Sequence, residues 1–352
     1  MGYNHPIEQR EGISMSKIML KISCGLLCIL VAVGTVGLLK LDGLWREAVP
    51  TPQPAPAPQM PTQAPTQPPV PSPVLPTEPI PEEPRVEISY GEARDFWENC
   101  PDGIRIETIA KQNFTAHAMY IKDPSSVYLA TSTEKFSINT KGGRLFTQLE
   151  AEGALAAINA GAFNDDGSSG THVGSLPIGM VVSKGKILWD DGRSYNGFVG
   201  MTRDHKLYVS DSINREKVEQ LNIRDGCCFG PVLINEGVVN EKVHDYSVAD
   251  NINSRTAIGQ RADGSVVFLC IDGRQCGSIG ATFDELQQIM VELKCVNACA
   301  LDGGASTIMA YRDTEGRYGK AGEVVTCSSY SLFQAAPRRM PTFFMVRPAE
   351  EE

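Results

Sequence analysis

Three apolar runs in this chain stop on a side-chain oxygen and reach glycine within two residues. They are AINAG, with Asn159 before Gly161, FLCIDG, with Asp272 before Gly273, and ALDGG, with Asp302 before Gly303 and Gly304. A carboxylate acts as a general base or steadies a developing cation. Glycine lets backbone N–H groups come close to a ligand, and Ser306 and Thr307 add hydroxyls just beyond. Two arginines accompany these ends: Arg255 opens RTAIG and Arg274 lies two residues past Asp272. A guanidinium fork suits phosphate or carboxylate. The candidate site therefore has Asp302, Asp272 and Asn159 as its reactive members. Its anion cradle is Arg255, Arg274, Gly303, Gly304, Ser306 and Thr307. Each strand end alone reads as a tight turn, and each arginine as a brace for a nearby acid; three such ends together favour one shared site.

The elements that must position these residues are legible around 263–304. DGSVVFLCIDGR is a turn followed by an apolar, β-rich run. In GATFDELQQIMVELK, Thr282 with Glu285 makes a capping box, and Phe283, Leu286, Ile289, Met290 and Leu293 recur at helical spacing. CVNACALDGG follows as a second short strand. Strand, helix and strand in this span predict a βαβ unit with parallel strands. Asp272 and Asp302 then leave the sheet at one edge, about 4.8 Å apart for neighbouring strands or about 10 Å with one strand between. RLFTQLEAEG reads as a short helix leading into the strand that ends on Asn159. The expected fold is α/β, with α+β as the alternative: a mixed sheet with at least one βαβ unit and flanking helices.

Residues 22–39, ISCGLLCILVAVGTVGLL, carry no charge and are flanked by Lys21 and Lys40. Their length suits a membrane-spanning helix. No small-residue cleavage site follows, which favours a retained anchor over a removed signal peptide. Arg10, Lys17 and Lys21 precede the run and Lys40 and Arg46 follow it, leaning toward a cytoplasmic N-terminus. Residues 50–84 hold 15 of the 23 prolines, a composition that gives an extended spacer rather than a core. The expected organisation is a cytoplasmic tail (1–17), a single-pass cell-membrane anchor (18–40), a Pro-rich extracellular linker (41–84) and one extracellular domain (85–352). That domain carries −8 of the net charge of −10, so composition argues against a nucleic-acid binder. Eight cysteines lie beyond the anchor, an even number that permits disulfides without fixing their pairing. No CxxC pair suggests a structural zinc site. Either acid is also chemically suited to Ca²⁺ or Mg²⁺, although nothing in the sequence requires a metal. His172 sits in a Gly/Ser loop; His117, His205 and His244 show no partner pattern. Trp189 and Tyr195 suit either a sugar platform or the core.

Seven motifs in order resemble the phosphodiester glycosidase domain family. They are INAGAF (158–163), PIGMVVSKGK (177–186), FGPVLINEG (229–237), RTAIG (255–259), DGR (272–274), GATFDEL (280–286) and LDGGAST (301–307). Ala300 and Ala305 depart from the family pattern, which often has Asn and Gly there, and Arg338 or Arg339 stands for its late arginine. Members occur among envelope and exopolysaccharide proteins. The resemblance implies hydrolysis of a sugar-1-phosphodiester, with a phosphate-linked glycan or envelope polysaccharide as substrate. The alternatives are a glycan-binding module without turnover and a metal-dependent phosphodiesterase attacking phosphorus.

Overall fold

The computed structural model describes residues 96–349 apart from 165–172, 247, 276 and 327–336. The tail, anchor and linker expected over 1–84 lie outside the described residues, as does His172. Among the described residues no helix is long and apolar enough to cross a membrane; the run 22–39 is not among them.

The described residues form three large sheets. The first has the spatial order β1 (Ile104–Ala110), β2 (Thr115–Ile121), β15 (Val266–Ile271), β14 (Arg255–Arg261), β16 (Cys295–Leu301), β12 (Val232–Asn235) and β13 (Val238–Val239). The second runs β10 (Leu207–Ser210), β9 (Phe198–Thr202), β11 (Ile223–Cys228), β7 (Met180–Ser183) and β8 (Lys186–Asp190). The third runs β18 (Glu323–Thr326), β17 (Met309–Asp313), β4 (Ala156–Asn159), β19 (Thr342–Val346) and β3 (Val127–Thr131). A short ladder pairs β5 (Phe163–Asn164) with β6 (Leu176–Pro177). The described helices are α1 (Leu145–Ala151), α2 (Arg215–Gln220) and α3 (Phe283–Glu292).

This is a sheet-rich α+β fold, which corrects the α/β expectation. Each described pairing is antiparallel. The strands on either side of α3 do run the same way, but they are not neighbours. β14 lies between β15 and β16 and pairs with both. The cause is local. Asp263 and Gly264 make a tight turn, with Gly264 at φ +89° and the Arg261 N–H donating to the Ser265 carbonyl at 2.9 Å. A hairpin closes over few residues and so claims β15's edge at little entropic cost.

β15 is buried along its whole length because both faces are covered. Val266, Phe268 and Cys270 pack toward the other two sheets. Val267, Leu269 and Ile271 pack toward α3, which lays Phe283, Leu286, Ile289 and Met290 on them. That is why the run reads as continuously apolar rather than alternating. The capping box at α3 forms as expected: the Glu285 N–H donates to Thr282 Oγ1 at 3.1 Å, and the Thr282 N–H to Glu285 Oε2 at 2.8 Å. Cys227, Cys228, Cys295 and Cys299 are buried free thiols, Cys100 is a half-buried one, and Cys270 is buried. They pack as small apolar groups. Cys276 and Cys327 lie outside the described residues.

Candidate active site

The edge where β15 and β16 end is also where β14 begins. Arg255 stands opposite Ile271, and Thr256 opposite Leu301. Asp272 and Asp302 thus flank the entry to β14, two strand spacings apart, or about 10 Å between backbones. The segment Asn253–Ser254 leads into β14 between the two glycine turns. There is no room beside it. A Cβ on Gly273 would lie 2.4 Å from the Ser254 nitrogen, and one on Gly303 would lie 2.8 Å from the Ser254 oxygen. Ser254 clasps the second turn twice. Its carbonyl accepts from the Gly304 N–H at 2.8 Å, and its hydroxyl donates to the Gly304 carbonyl at 2.8 Å. Gly304 sits at φ +60°, a left-handed conformation that disfavours a side chain.

The turn is held from inside as much as it is open to a ligand. The Ser306 N–H donates to the Gly303 carbonyl and the Thr307 N–H to the Gly304 carbonyl. The amides of Gly303 and Ala305 meet no acceptor among the described residues. Thr307 is buried, and its hydroxyl lies 3.1 Å from Thr256 Oγ1. Ser306 is buried as well, and its hydroxyl accepts from Arg338 Nη1 at 3.3 Å. Arg338 lies over the Phe163 ring, 4.8 Å from its centroid. Of the two late arginines it is Arg338 that reaches the turn; Arg339 donates to the Gly142 carbonyl.

Asn159 is fully buried beneath this edge. Its amide donates to the Asp302 carbonyl at 2.5 Å. Its oxygen accepts from Thr256 Oγ1 at 3.2 Å and from the Ile308 N–H at 3.1 Å. It therefore ties the third sheet to the first and fixes Asp302 through the backbone. The Asp302 N–H donates to the Ala160 carbonyl at 3.0 Å, so both sides of that residue are anchored. Its carboxylate is partly exposed at the edge. Tyr195, which is 41% exposed and tilted against Phe229, stands close enough to feel it. Burial and the Asp302 charge together push the Tyr195 hydroxyl upward. Trp189 packs edge-on against Phe136 instead.

The arginines part company. Arg255 is buried, with Nε donating to the Ala281 carbonyl at 2.9 Å, Nη2 to the Asn251 carbonyl, and its plane 3.9 Å from the Phe283 centroid. Burial lowers it to about 10, so it stays charged at neutral pH. Its described partners are all on α3's side of the sheet. Arg274 is exposed and makes no side-chain hydrogen bond or ion pair among the described residues. One of its nitrogens hangs 3.8 Å from where a Cβ of Gly304 would stand, and the Asn253 amide 3.5 Å from the same point.

Asp272 is buried, and its carboxylate meets His117 Nε2 at 3.1 Å. His117 Nδ1 lies 3.4 Å from Thr108 Oγ1. No sequence spacing pairs His117 with Asp272, because the contact arises across β2 and β15, where His117 stands opposite Cys270. Among the described residues no three His, Cys, Asp or Glu side chains gather as a metal-ligand set.

The chain is 24% identical over 202 residues to the SPbeta prophage-derived uncharacterized protein YomE of Bacillus subtilis (strain 168), covering 56% of this chain and 28% of that one. It is 27% identical over 155 residues to bovine (Bos taurus) N-acetylglucosamine-1-phosphodiester alpha-N-acetylglucosaminidase, covering 40% of this chain and 29% of the enzyme. The chain thus spans under a third of the length of either relative. Its fold is similar to that of the zebrafish N-acetylglucosamine-1-phosphodiester alpha-N-acetylglucosaminidase catalytic domain auto-inhibited by its pro-peptide. The TM-score is 0.53 at 18% identity, over 69% of this chain and 82% of that one. A family model described as phosphodiester glycosidase matches residues 152–347, more than half of the sequence and every residue of the edge from Asn159 to Arg338. The chain belongs to the phosphodiester glycosidase family.

Proposed function

We propose that the chain hydrolyses sugar-1-phosphodiesters by breaking the bond between the anomeric carbon and the phosphate oxygen. One observation carries the reading: a partly exposed carboxylate, Asp302, stands on a turn flanked by the Arg274 and Arg338 guanidinium groups. A phosphate monoester leaves readily once its charge is met, so cations count for more here than a proton donor. The Gly303 and Ala305 amides add dipoles at the same turn. Asp302 takes the proton of the attacking water or steadies the oxocarbenium-like ring. Tyr195 forms a wall for the sugar. In this reading Asn159 positions Asp302, Arg255 braces β14, and Asp272 with His117 shapes the far side of the edge.

The substrate is then a phosphate-linked glycan of the cell envelope, and residues 18–84 anchor and space the domain outside the membrane. In this reading Arg274, Arg338 and the turn amides supply the charge neutralisation. Turnover that stops in EDTA and returns with Ca²⁺ or Mg²⁺ would transfer the charge-neutralising role to a cation.

The test supplies the full chain with a GlcNAc-1-phosphodiester and with p-nitrophenyl N-acetylglucosaminide. Sugar release from the phosphodiester alone, abolished in Asp302→Ala, is the expected result. Retained activity in that variant would remove Asp302 from the chemistry. Binding of phosphate-linked glycans without turnover of any would support a glycan-binding module instead.

A further inference from the structure

Beside the Arg274 end of the turn, exposed apolar side chains gather next to the exposed Asp250 and Asn251. Among the described residues six large apolar or aromatic side chains are exposed, and three of them lie on two touching loops here: Val248 (45%), Ile252 (53%) and Ile279 (52%). Single exposed apolar residues are ordinary; half of the total gathered on one rim is not. The loops are in contact through their backbones. Asn253 and Ala281 exchange two hydrogen bonds, N–H to carbonyl at 3.2 Å and 2.8 Å. A Cβ on Gly280 would lie 2.4 Å from the Asn253 carbonyl.

The rim is continuous with the anion-binding turn. The Arg274 N–H donates to the Ile279 carbonyl at 3.2 Å. Ile252 directly precedes Asn253, whose side chain overhangs Gly304. Tyr195 and Asp302 are neighbours on the other side of the same turn. The order along the surface is therefore aromatic wall, carboxylate, turn with the exposed Arg274 guanidinium, and apolar rim. A sugar at Tyr195 and Asp302 with its phosphate over the turn would direct the phosphate's second ester toward Ile252 and Ile279.

We propose that this rim receives the aglycone, so that the preferred substrate class is a sugar-1-phosphodiester of an apolar, lipid-like alcohol. The inference rests on the hydrolase reading above. In the step, water forms the new bond to the anomeric carbon. The bond from that carbon to the phosphate oxygen breaks, and its electron pair leaves with an alkyl phosphate. The water proton passes by way of Asp302 to solvent.

The experiment compares GlcNAc-1-phosphodiesters of ethanol and of decanol, below the micelle concentration, with the full chain. The decyl ester should be favoured by at least about tenfold in kcat/KM, since each methylene removed from water contributes. Ile252→Ser and Ile279→Ser, both surface changes, should each narrow that ratio. Equal use of the two esters, or a ratio that neither variant moves, overturns the inference and leaves the hydrolase reading standing. If neither ester is cleaved, the hydrolase reading fails for this sugar. Calorimetric titration with ethyl and decyl phosphate then decides the rim: tighter decyl binding, weakened in both variants, supports it, and equal binding overturns it.

Discussion

Asn159 and Asp302 belong to different sheets, yet the Asn159 amide donates to the Asp302 main-chain carbonyl at 2.5 Å. The carboxylate's position is thus set by a neutral side chain behind it. Asn159→Ala would leave the Asp302 carbonyl, the Ile308 N–H and the Thr256 hydroxyl without this partner. We expect a loss of about 2–4 kcal/mol and a fall in kcat larger than any change in KM. Asn159→Asp, which keeps the shape but turns an oxygen toward a carbonyl, should behave alike. Urea unfolding beside steady-state kinetics checks this; a variant of full stability and full kcat would refute the role.

The two glycines of the turn should respond differently. Gly303→Ala drives a Cβ to 2.8 Å from the Ser254 carbonyl oxygen, whereas Gly304→Ala meets nothing nearer than 3.5 Å. The second change mainly meets the left-handed backbone, costing about 1–2 kcal/mol. The first must push β14's entry away from the turn, so it should lower activity more than its effect on the melting temperature suggests. Equal kinetic losses in the two variants would count against the packing argument.

Arg255 and Arg274 should separate by experiment into a brace and a ligand. Removing a buried guanidinium that serves three carbonyls and a ring is costly, and Arg255→Ala should lose about 3 kcal/mol or more. Arg274→Ala should leave the melting temperature almost untouched while kcat/KM for a phosphodiester drops about 10–100-fold. A normal melting temperature for Arg255→Ala together with lost phosphate binding would reverse the assignment.

Acid stability should report Asp313. Burial raises this carboxyl, but the N–H groups of Tyr318, Arg317 and Gly319 donate to it and outweigh that, holding it below the usual carboxylate range. A lowered folded-state value means the stabilisation is present above the unfolded value and is lost as pH falls through the folded one. Asp313→Asn should therefore cost about 1–3 kcal/mol at pH 7. The gap between variant and parent should close below about pH 4. Guanidinium unfolding at pH 7 and pH 3 measures it, and a gap that stays constant would exclude the carboxylate as its source.

Much of the site edge was legible because glycine after an apolar run is a local signal. Asn159, Asp272 and Asp302 do end or follow strands, and α3 has the cap that Thr282 and Glu285 announce. The order of strands was not legible. Arg255–Arg261 reads RTAIGQR, with only Ala257 and Ile258 clearly apolar, and nothing local says that it enters between two strands rather than beside them. Burial on both faces also removed the alternation that marks a strand in a sheet-rich fold. The distinction between Arg255 and Arg274 is a tertiary one, since the Arg255 side chain turns toward carbonyls contributed by residues 248, 251 and 281. His117 and Asp272 are separated by 155 positions, beyond any spacing rule.

The buried thiols carry a further consequence. Cys227, Cys228 and Cys299 sit on β11 and β16 close to the candidate site edge, inaccessible to solvent. Burial raises the thiols of Cys227 and Cys299 well above the ordinary range. A thiol-specific reagent therefore reaches them only when the sheets part, and its rate of reaction counts those openings. Labelling in the presence and absence of an alkyl phosphate would turn three structural side chains into a clock for how tightly ligand closes the edge above them.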